Sequence, residues 1–372
     1  MNKFKTIASI VGISTALVAC GGGGSSEKKT INRVEIPDSA FKPVALEQTI
    51  GELVTEIAQT EPESIQLGIV LKTLTGYWEP VKIGANRAIG ELDVPGVVAA
   101  PTEATPEERL AQQLEILETQ RESGYRGLGI APMATEISTA IDASVDRGVP
   151  VVTIDSDLNG SKRQLYIGTI NYEAGRSAGE TLLRFLDAEA GTVFVLGHDN
   201  ATDWPDGYQR TKGAVDVLEA AGYEVIVRKT TWDDGGIELD VDYLSQGLET
   251  ADPPAVGMLG VFSAAYRCAM AAERNGLTAE DVKIVGFDFE PETLSYMRSG
   301  LMQATHAQRQ YYMGYLVPYV LYGMNVLGVE RTLGILSPHM VDENRFNAGL
   351  DVVSTEQLDD YNAFLDSLGV GG

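Results

Sequence analysis

Cysteine is all but missing from this chain: Cys20 and Cys268 stand alone among 372 residues. A disulfide-built scaffold is therefore excluded. Histidine is as sparse, with His198, His306 and His339 far apart and without metal-ligand spacing. Each reads as a surface or packed residue. Basic residues are few, 28 against 53 acidic, for a formal net charge of −25. Such a chain repels nucleic acid and anionic membrane surfaces. No GxGxxG follows a strand, no GxSxG elbow is present, and the acidic stretch "HDNATDWPDG" lacks the Gly and Glu spacing of a calcium loop. No metal or other cofactor is expected.

The apolar run near the start, "TIASIVGISTALVA", has only 14 residues and follows two lysines in "MNKFK". It is too short to span a bilayer as a helix and reads as a signal peptide, residues 1–19. It ends in "LVAC", which resembles a bacterial lipoprotein box; the resemblance implies that Cys20 becomes the first mature residue and carries lipid. "GGGGSSEKK" follows as a flexible tether, and residues 20–64 are expected to form a lipidated tether and N-terminal extension. The expected location is the periplasm, with the protein anchored to a membrane through its lipid. With Cys20 modified, Cys268 has no partner; in "AAYRCAMAAERNG" it reads as a small core residue of a helix.

What is present is a globular composition, 44% apolar and 22% charged, in a chain long enough for two domains. After "ALEQTIGELVTEIAQ", which has helical spacing, strands and helices alternate from residue 65. The strands "IQLGIVLKT", "GVVAAP", "GLGIAP" and "PVVTID" interleave with the helices "EPVKIGANRAIGEL", "PEERLAQQLEILETQRESG" and "EISTAIDASVDRG". The pattern restarts at "GTVFVLG" and runs to "VKIVGFD". Such alternation predicts two parallel sheets with helices on both faces. Ligands of such folds bind beyond the carboxyl ends of the strands. "VPVVTIDSD" puts Asp155 at one such end, and "IVGFD" puts Asp288 at another. A buried carboxylate without partners is costly, so each needs donors, and a ligand in a cleft between two half-domains would supply them.

From about residue 65 to 330 the chain resembles the type I periplasmic sugar-binding proteins. The resemblance is carried by "GIVLKTLTGYWEPVKIGA", "VPVVTIDSDLNGSKRQLYIGTINYEAGRSAGE", "YQRTKGAVDVLEAAG", "KIVGFDFEPETLSYMRSG" and "MQATHAQRQYYMGY". It implies an α/β fold of two doubly wound parallel-sheet lobes joined by a three-strand hinge. Residues 65–169 and 309–340 would form the first lobe, and 170–308 and 341–372 the second.

Carried over residue by residue, the resemblance puts Tyr77 and Trp78 where aromatic rings stack on a sugar, although a helix start also holds core aromatics. The weakly positive C–H face of a sugar suits the negative face of an aromatic ring. Asp155 takes the place of the strand-end acid that accepts ligand hydroxyls, and Asp288 that of its second-lobe counterpart. Arg210 in "QRTKG" would fork onto vicinal hydroxyls, and Gln308 in "THAQ" matches a hinge amide. Trp232 in "TTWDD" matches a second stacking position more loosely.

Three departures stand out. Ser156 occupies a position that is often Arg in ribose binders, Thr75 and Gly76 stand in a first loop that usually holds Asn, and Val261 or Phe262 replaces a polar residue. They point to a sugar or polyol, not necessarily ribose. Lys72, at the end of the first strand, either meets a ligand hydroxyl or carboxylate or pairs with Asp155.

The function implied is that of a monomeric, non-enzymatic receptor that hands a sugar to the permease of an ABC transporter. A sensory receptor serving a chemoreceptor or sensor kinase is the alternative. A glycosidase using Asp155 and Asp288 would need a proton-transfer motif that does not accompany them, and the signal peptide counts against a repressor's effector domain. The anchor reading makes a direct prediction. Cys20→Ser should move the protein from the membrane to the soluble fraction with ligand binding intact; protein still sedimenting with membranes after a salt wash would contradict it.

Overall fold

The computed structural model of the chain describes residues 28–187, 190–202 and 204–371. The expected signal peptide, Cys20 and the start of the tether lie outside the described residues. Among the described residues no helix is long and apolar enough to cross a membrane.

Short apolar runs become strands β1 (Leu67–Val70), β2 (Gly96–Ala99), β3 (Gly127–Ile130), β4 (Val151–Ile154) and β5 (Leu165–Gly168). They are followed by β6 (Thr192–Gly197), β7 (Glu224–Lys229), β8 (Ala255–Gly260), β9 (Lys283–Phe287) and β10 (Ala304–Ala307), then by β11 (Met340–Asp342), β12 (Arg345–Asn347) and β13 (Asp351–Ser354). One sheet has the order β11-β12-β5-β4-β3-β1-β2 and the other β13-β10-β9-β8-β6-β7. Pairing is parallel except at β11–β12 and β10–β13. β1, β3 and β4 are buried along their whole length, as expected of parallel strands covered on both faces.

The first five strands of each lobe follow the same order: second, first, third, fourth, fifth. The five-strand cores of the two lobes are copies in topology; beyond them the lobes differ, β12 running parallel to β5 and β13 antiparallel to β10. The chain passes between them at 168–171, 307–310 and 347–351.

Each lobe is braced by an equivalent pair of helices. Helix Glu79–Leu92, bounded as the sequence predicts, follows β1 and packs on helix Gln310–Val326. A Cβ on Gly84 would overlap the Tyr311 carbonyl, and one on Gly314 the Val81 carbonyl. In the second lobe, helix Pro205–Ala220 follows β6 and packs on helix Asn171–Leu183. There Gly213 faces the Tyr172 carbonyl and Gly175 the Arg210 carbonyl with equally little room.

Two boundaries differ from the sequence reading. Residues 341–372 were expected in the second lobe, but β12 pairs with β5, with Phe346 opposite Ile167. It covers an edge that would otherwise expose unpaired backbone, so the first lobe runs on to Asn347. The N-terminal extension is also more than a tether. Helix Val44–Ile57 buries Leu46, Ile50, Leu53 and Ile57 in the first-lobe core, at the spacing of one helix face.

Backbones in such close contact leave no space for a methyl group. Gly314→Ala should cost about 1–3 kcal/mol through overpacking. Gly90→Ala, in the same helix as Gly84 but with open space around it, should stabilise by roughly 0.5–1 kcal/mol. Urea unfolding midpoints check both; a Gly314→Ala midpoint at or above wild type would contradict the tight crossing.

Candidate functional site

β4 and β9 are the fourth strands of their lobes, and each runs directly into an aspartate, Asp155 and Asp288. Both have φ of +64°, left-handed backbone that Asp and Asn tolerate better than other non-glycine residues. The same two contacts pin each one. The Asp155 N–H donates to the Ile167 carbonyl of β5 at 3.0 Å, and the Tyr166 hydroxyl donates to the Asp155 carbonyl at 2.9 Å. The Asp288 N–H donates to the His306 carbonyl of β10 at 2.9 Å, and the Thr305 hydroxyl donates to the Asp288 carbonyl at 2.9 Å. In each lobe the fifth strand thus turns the terminal aspartate of the fourth.

Both aspartates line one cavity between the lobes, of about 220 Å³. At about 30 Å³ per water that is roughly seven waters, the scale of one small ligand. The first lobe supplies Lys72, Tyr77, Trp78, Asp155 and Ser156; the second supplies Trp204, Asp206, Arg210, Trp232, Phe262, Ser263 and Asp288. Gln308, on the second crossover, and Asn171, at the end of the first, complete the wall.

The site residues expected from sequence come together here, with their roles redistributed. Tyr77 donates its hydroxyl to Asp155 Oδ1 at 2.6 Å, and burial together with the Asp155 charge holds its phenol well above its ordinary pKa. Trp78 is buried, and the Lys72 ammonium lies 5.6 Å from its ring centre. Lys72 reaches Asp155 through Ser156: Nζ donates to Ser156 Oγ at 2.6 Å, and Ser156 Oγ donates to Asp155 Oδ2 at 3.2 Å. Burial lowers the Lys72 pKa, against the pull of Asp155 and Asp206.

Arg210 was expected to offer its fork to a ligand, but most of that fork is committed to protein. Nε and Nη2 donate to Asn171 Oδ1 at 2.9 and 2.7 Å, Nη1 to the Val261 carbonyl at 3.1 Å, and Nη2 also to Gln308 Oε1 at 2.6 Å. The guanidinium lies 4.7 Å from the ring centre of Phe287 and 5.5 Å from that of Phe262. Gln308 relays the charge onward, its Nε2 donating to Asp288 Oδ1 at 2.8 Å. Burial raises the Asp288 pKa to about 6, with Arg210 and Gln308 opposing the rise. Trp232 stands half in solvent at the cavity edge, its ring centre 6.2 Å from that of Phe262.

Asn171, Trp204 and Asp206 escaped the sequence reading. Trp204 stacks on Phe262 at 4.6 Å. Asp206 precedes Arg210 by four residues on one helix, a spacing that puts both on one face. That was the available signal. Burial raises the Asp206 pKa, and the charges of Asp155 and Asp157 add to the rise.

A profile of the periplasmic binding protein domain matches residues 67–325. The chain belongs to this family of periplasmic binding proteins. Among solved structures, the sugar-binding protein of a sugar ABC transporter from Bacillus halodurans is 24% identical, with a TM-score of 0.66 over 80% of this chain and 99% of that one. An arabinose-binding protein from Geobacillus stearothermophilus gives 23% identity and a TM-score of 0.64 over 80% and 99% of the two chains. A glucose-galactose-binding protein from the same organism gives 25% and 0.62 over the same shares.

The raised pKa of Asp288 in this periplasmic binding protein sets a pH dependence. From the ordinary value of 3.8 up to about 6, the folded state holds this proton while the unfolded chain has released it. Stability from this group is therefore present at low pH and is lost as pH rises through that window. The full shift corresponds to about 3 kcal/mol at most. Between pH 4 and pH 7 the wild type should lose on the order of 2 kcal/mol more stability than Asp288→Asn. Parallel denaturant curves for the two proteins would contradict the buried environment of Asp288.

Proposed function

We propose that this periplasmic binding protein captures one neutral monosaccharide or polyol between its lobes and delivers it to an ABC importer while tethered through Cys20. The observation that carries the reading is the pair of equivalent carboxylates, one per lobe, aimed into a single cavity with aromatic walls. A carboxylate accepts hydroxyl protons at charge-assisted strength, and aromatic faces receive the C–H surface of a sugar ring. A molecule with hydroxyl groups on opposite edges satisfies both lobes at once. The similar structures of an arabinose-binding and a glucose-galactose-binding protein support the same ligand class.

Charge favours a neutral ligand over a sugar acid. Asp155, Asp206 and Asp288 outnumber Lys72 and Arg210 in the cavity, and both cations already donate to protein groups. Delivery to an importer fits a fold whose two lobes meet around the ligand and are joined by three narrow crossovers.

The test is a calorimetric screen of monosaccharides, polyols and sugar acids. Asp155→Ala and Asp288→Ala should each weaken the best ligand by about 2–4 kcal/mol, because each leaves desolvated hydroxyls without an acceptor. Affinity should be flat from about 20 to about 500 mM salt, since a neutral ligand makes no ion pair to screen. Unchanged affinity in both aspartate variants would overturn the reading, and a tenfold salt-induced rise in Kd would overturn the choice of a neutral ligand.

A further inference from the structure

The C-terminal helix Leu358–Ser367 straddles the two lobes. Leu358 is buried in the second-lobe core, whereas Tyr361 and Phe364, farther along the helix, are buried in the core of the first. Besides Phe364 of its own helix, 6.2 Å away, two rings pack against Tyr361. Phe41 meets it edge-on at 4.8 Å, and Phe289 lies 4.7 Å away at a tilt of 44°. Phe41 belongs to the N-terminal extension, which is seated on the first lobe by helix Val44–Ile57. Phe289 directly follows Asp288 and touches the cores of both lobes. A row of rings therefore runs from the extension, through the C-terminal helix, to the residue next to the second-lobe carboxylate.

This row lies at the joint between the lobes. Arg309, on the second crossover and with φ of +53°, pairs with Asp351 of the third at 2.6 Å. A cavity of about 60 Å³ lies between the helix and these crossovers, lined by Ala307, Arg309, Asp351, Phe289 and Tyr361 among others. On the ligand side the lobes approach each other, the Asp157 N–H of the first lobe donating to Asp206 Oδ2 of the second at 3.4 Å. The clasp behind the cleft and the approach of its walls thus occur in one arrangement. Phe41 and Tyr361 both lie outside the segment that matches the family, 67–325.

We infer that Phe41 and Tyr361 are positioning residues for ligand capture, setting through Phe289 the lobe arrangement in which Asp288 faces Asp155. Neither ring lines the ligand cavity; both act on affinity through the balance of lobe positions. The inference rests on the reading of the cleft as the ligand site.

The experiment measures lobe separation and affinity independently. Spin labels on Glu107→Cys and Glu280→Cys, exposed positions of the first and second lobes, report the separation by pulsed electron resonance. Cys20→Ser in every variant, with Cys268 buried, keeps the labelling clean. Phe41→Ala and Tyr361→Ala should shift the ligand-free distance distribution away from that of the parent. Each should raise Kd about 2- to 10-fold, the scale of one aromatic contact, mainly through faster release. Phe41→Tyr, which keeps the ring, should restore both readouts, which guards against loss of fold as the cause. Distances and Kd unchanged in both alanine variants would overturn the inference. If no sugar binds the parent, the proposed function fails, and the ligand-free distances alone decide whether the clasp governs the lobes.

Discussion

The contacts that the fifth strand of each lobe makes with the terminal aspartate of the fourth fix the geometry of the cleft. Left-handed backbone at a non-glycine residue costs about 1–3 kcal/mol. The two hydrogen bonds that hold each aspartate return about 0.5–1.5 kcal/mol apiece, so the strain is roughly offset and the conformation persists. Its consequence is directional. A strand that simply continued would leave its last side chain among core residues; the turn at Asp155 and Asp288 takes each carboxylate to the cavity instead. Because the lobes share one topology, the same device used twice yields two carboxylates facing one space.

The remaining polar groups make that space tolerable in the absence of a ligand. Asp155 is held by Tyr77 and Ser156, and Asp288 by Gln308. Gln308 also accepts from Arg210 and, at 3.0 Å, from Thr169 on the first crossover. The charges of the site are thus bonded to the segments about which the lobes would turn. In the proposed function a change in lobe angle would alter the donors around Asp288, and a ligand that satisfies Asp288 would alter the preferred angle, because such coupling is reciprocal. Arg210 gains from the same network: its position between Phe262 and Phe287 keeps a positive charge beside a carboxylate that burial would otherwise neutralise.

Much of this was legible in the sequence, for identifiable reasons. Helix Glu79–Leu92 could be bounded from its apolar spacing and the change of texture at either end. Asp155 and Asp288 were conspicuous because a charged residue ends an otherwise apolar strand. Helix Gln310–Val326 was not legible. It is buried on nearly every side, so it has no polar face and no period, and Pro318 interrupts it. The strand Arg345–Asn347 is three residues long with a single apolar residue, Phe346, and only its pairing with β5 reveals it. Arg210 was found, but its orientation depends on Asn171, which sits on a different helix and is tied to it only by the fold. The restart of the alternation and the paired aspartates were visible, but the strand order shared by the lobes was not, because the sequence does not show which strands pair.

In the proposed function one ligand is gripped by both lobes through the equivalent carboxylates. A crystal structure with the best-binding sugar tests it most directly. A single sugar is expected, with hydroxyl oxygens within about 2.5–3.0 Å of both Asp155 and Asp288 and both aspartates keeping left-handed backbone. A sugar held by one lobe alone, with the other aspartate turned away or bonded only to protein, would contradict it.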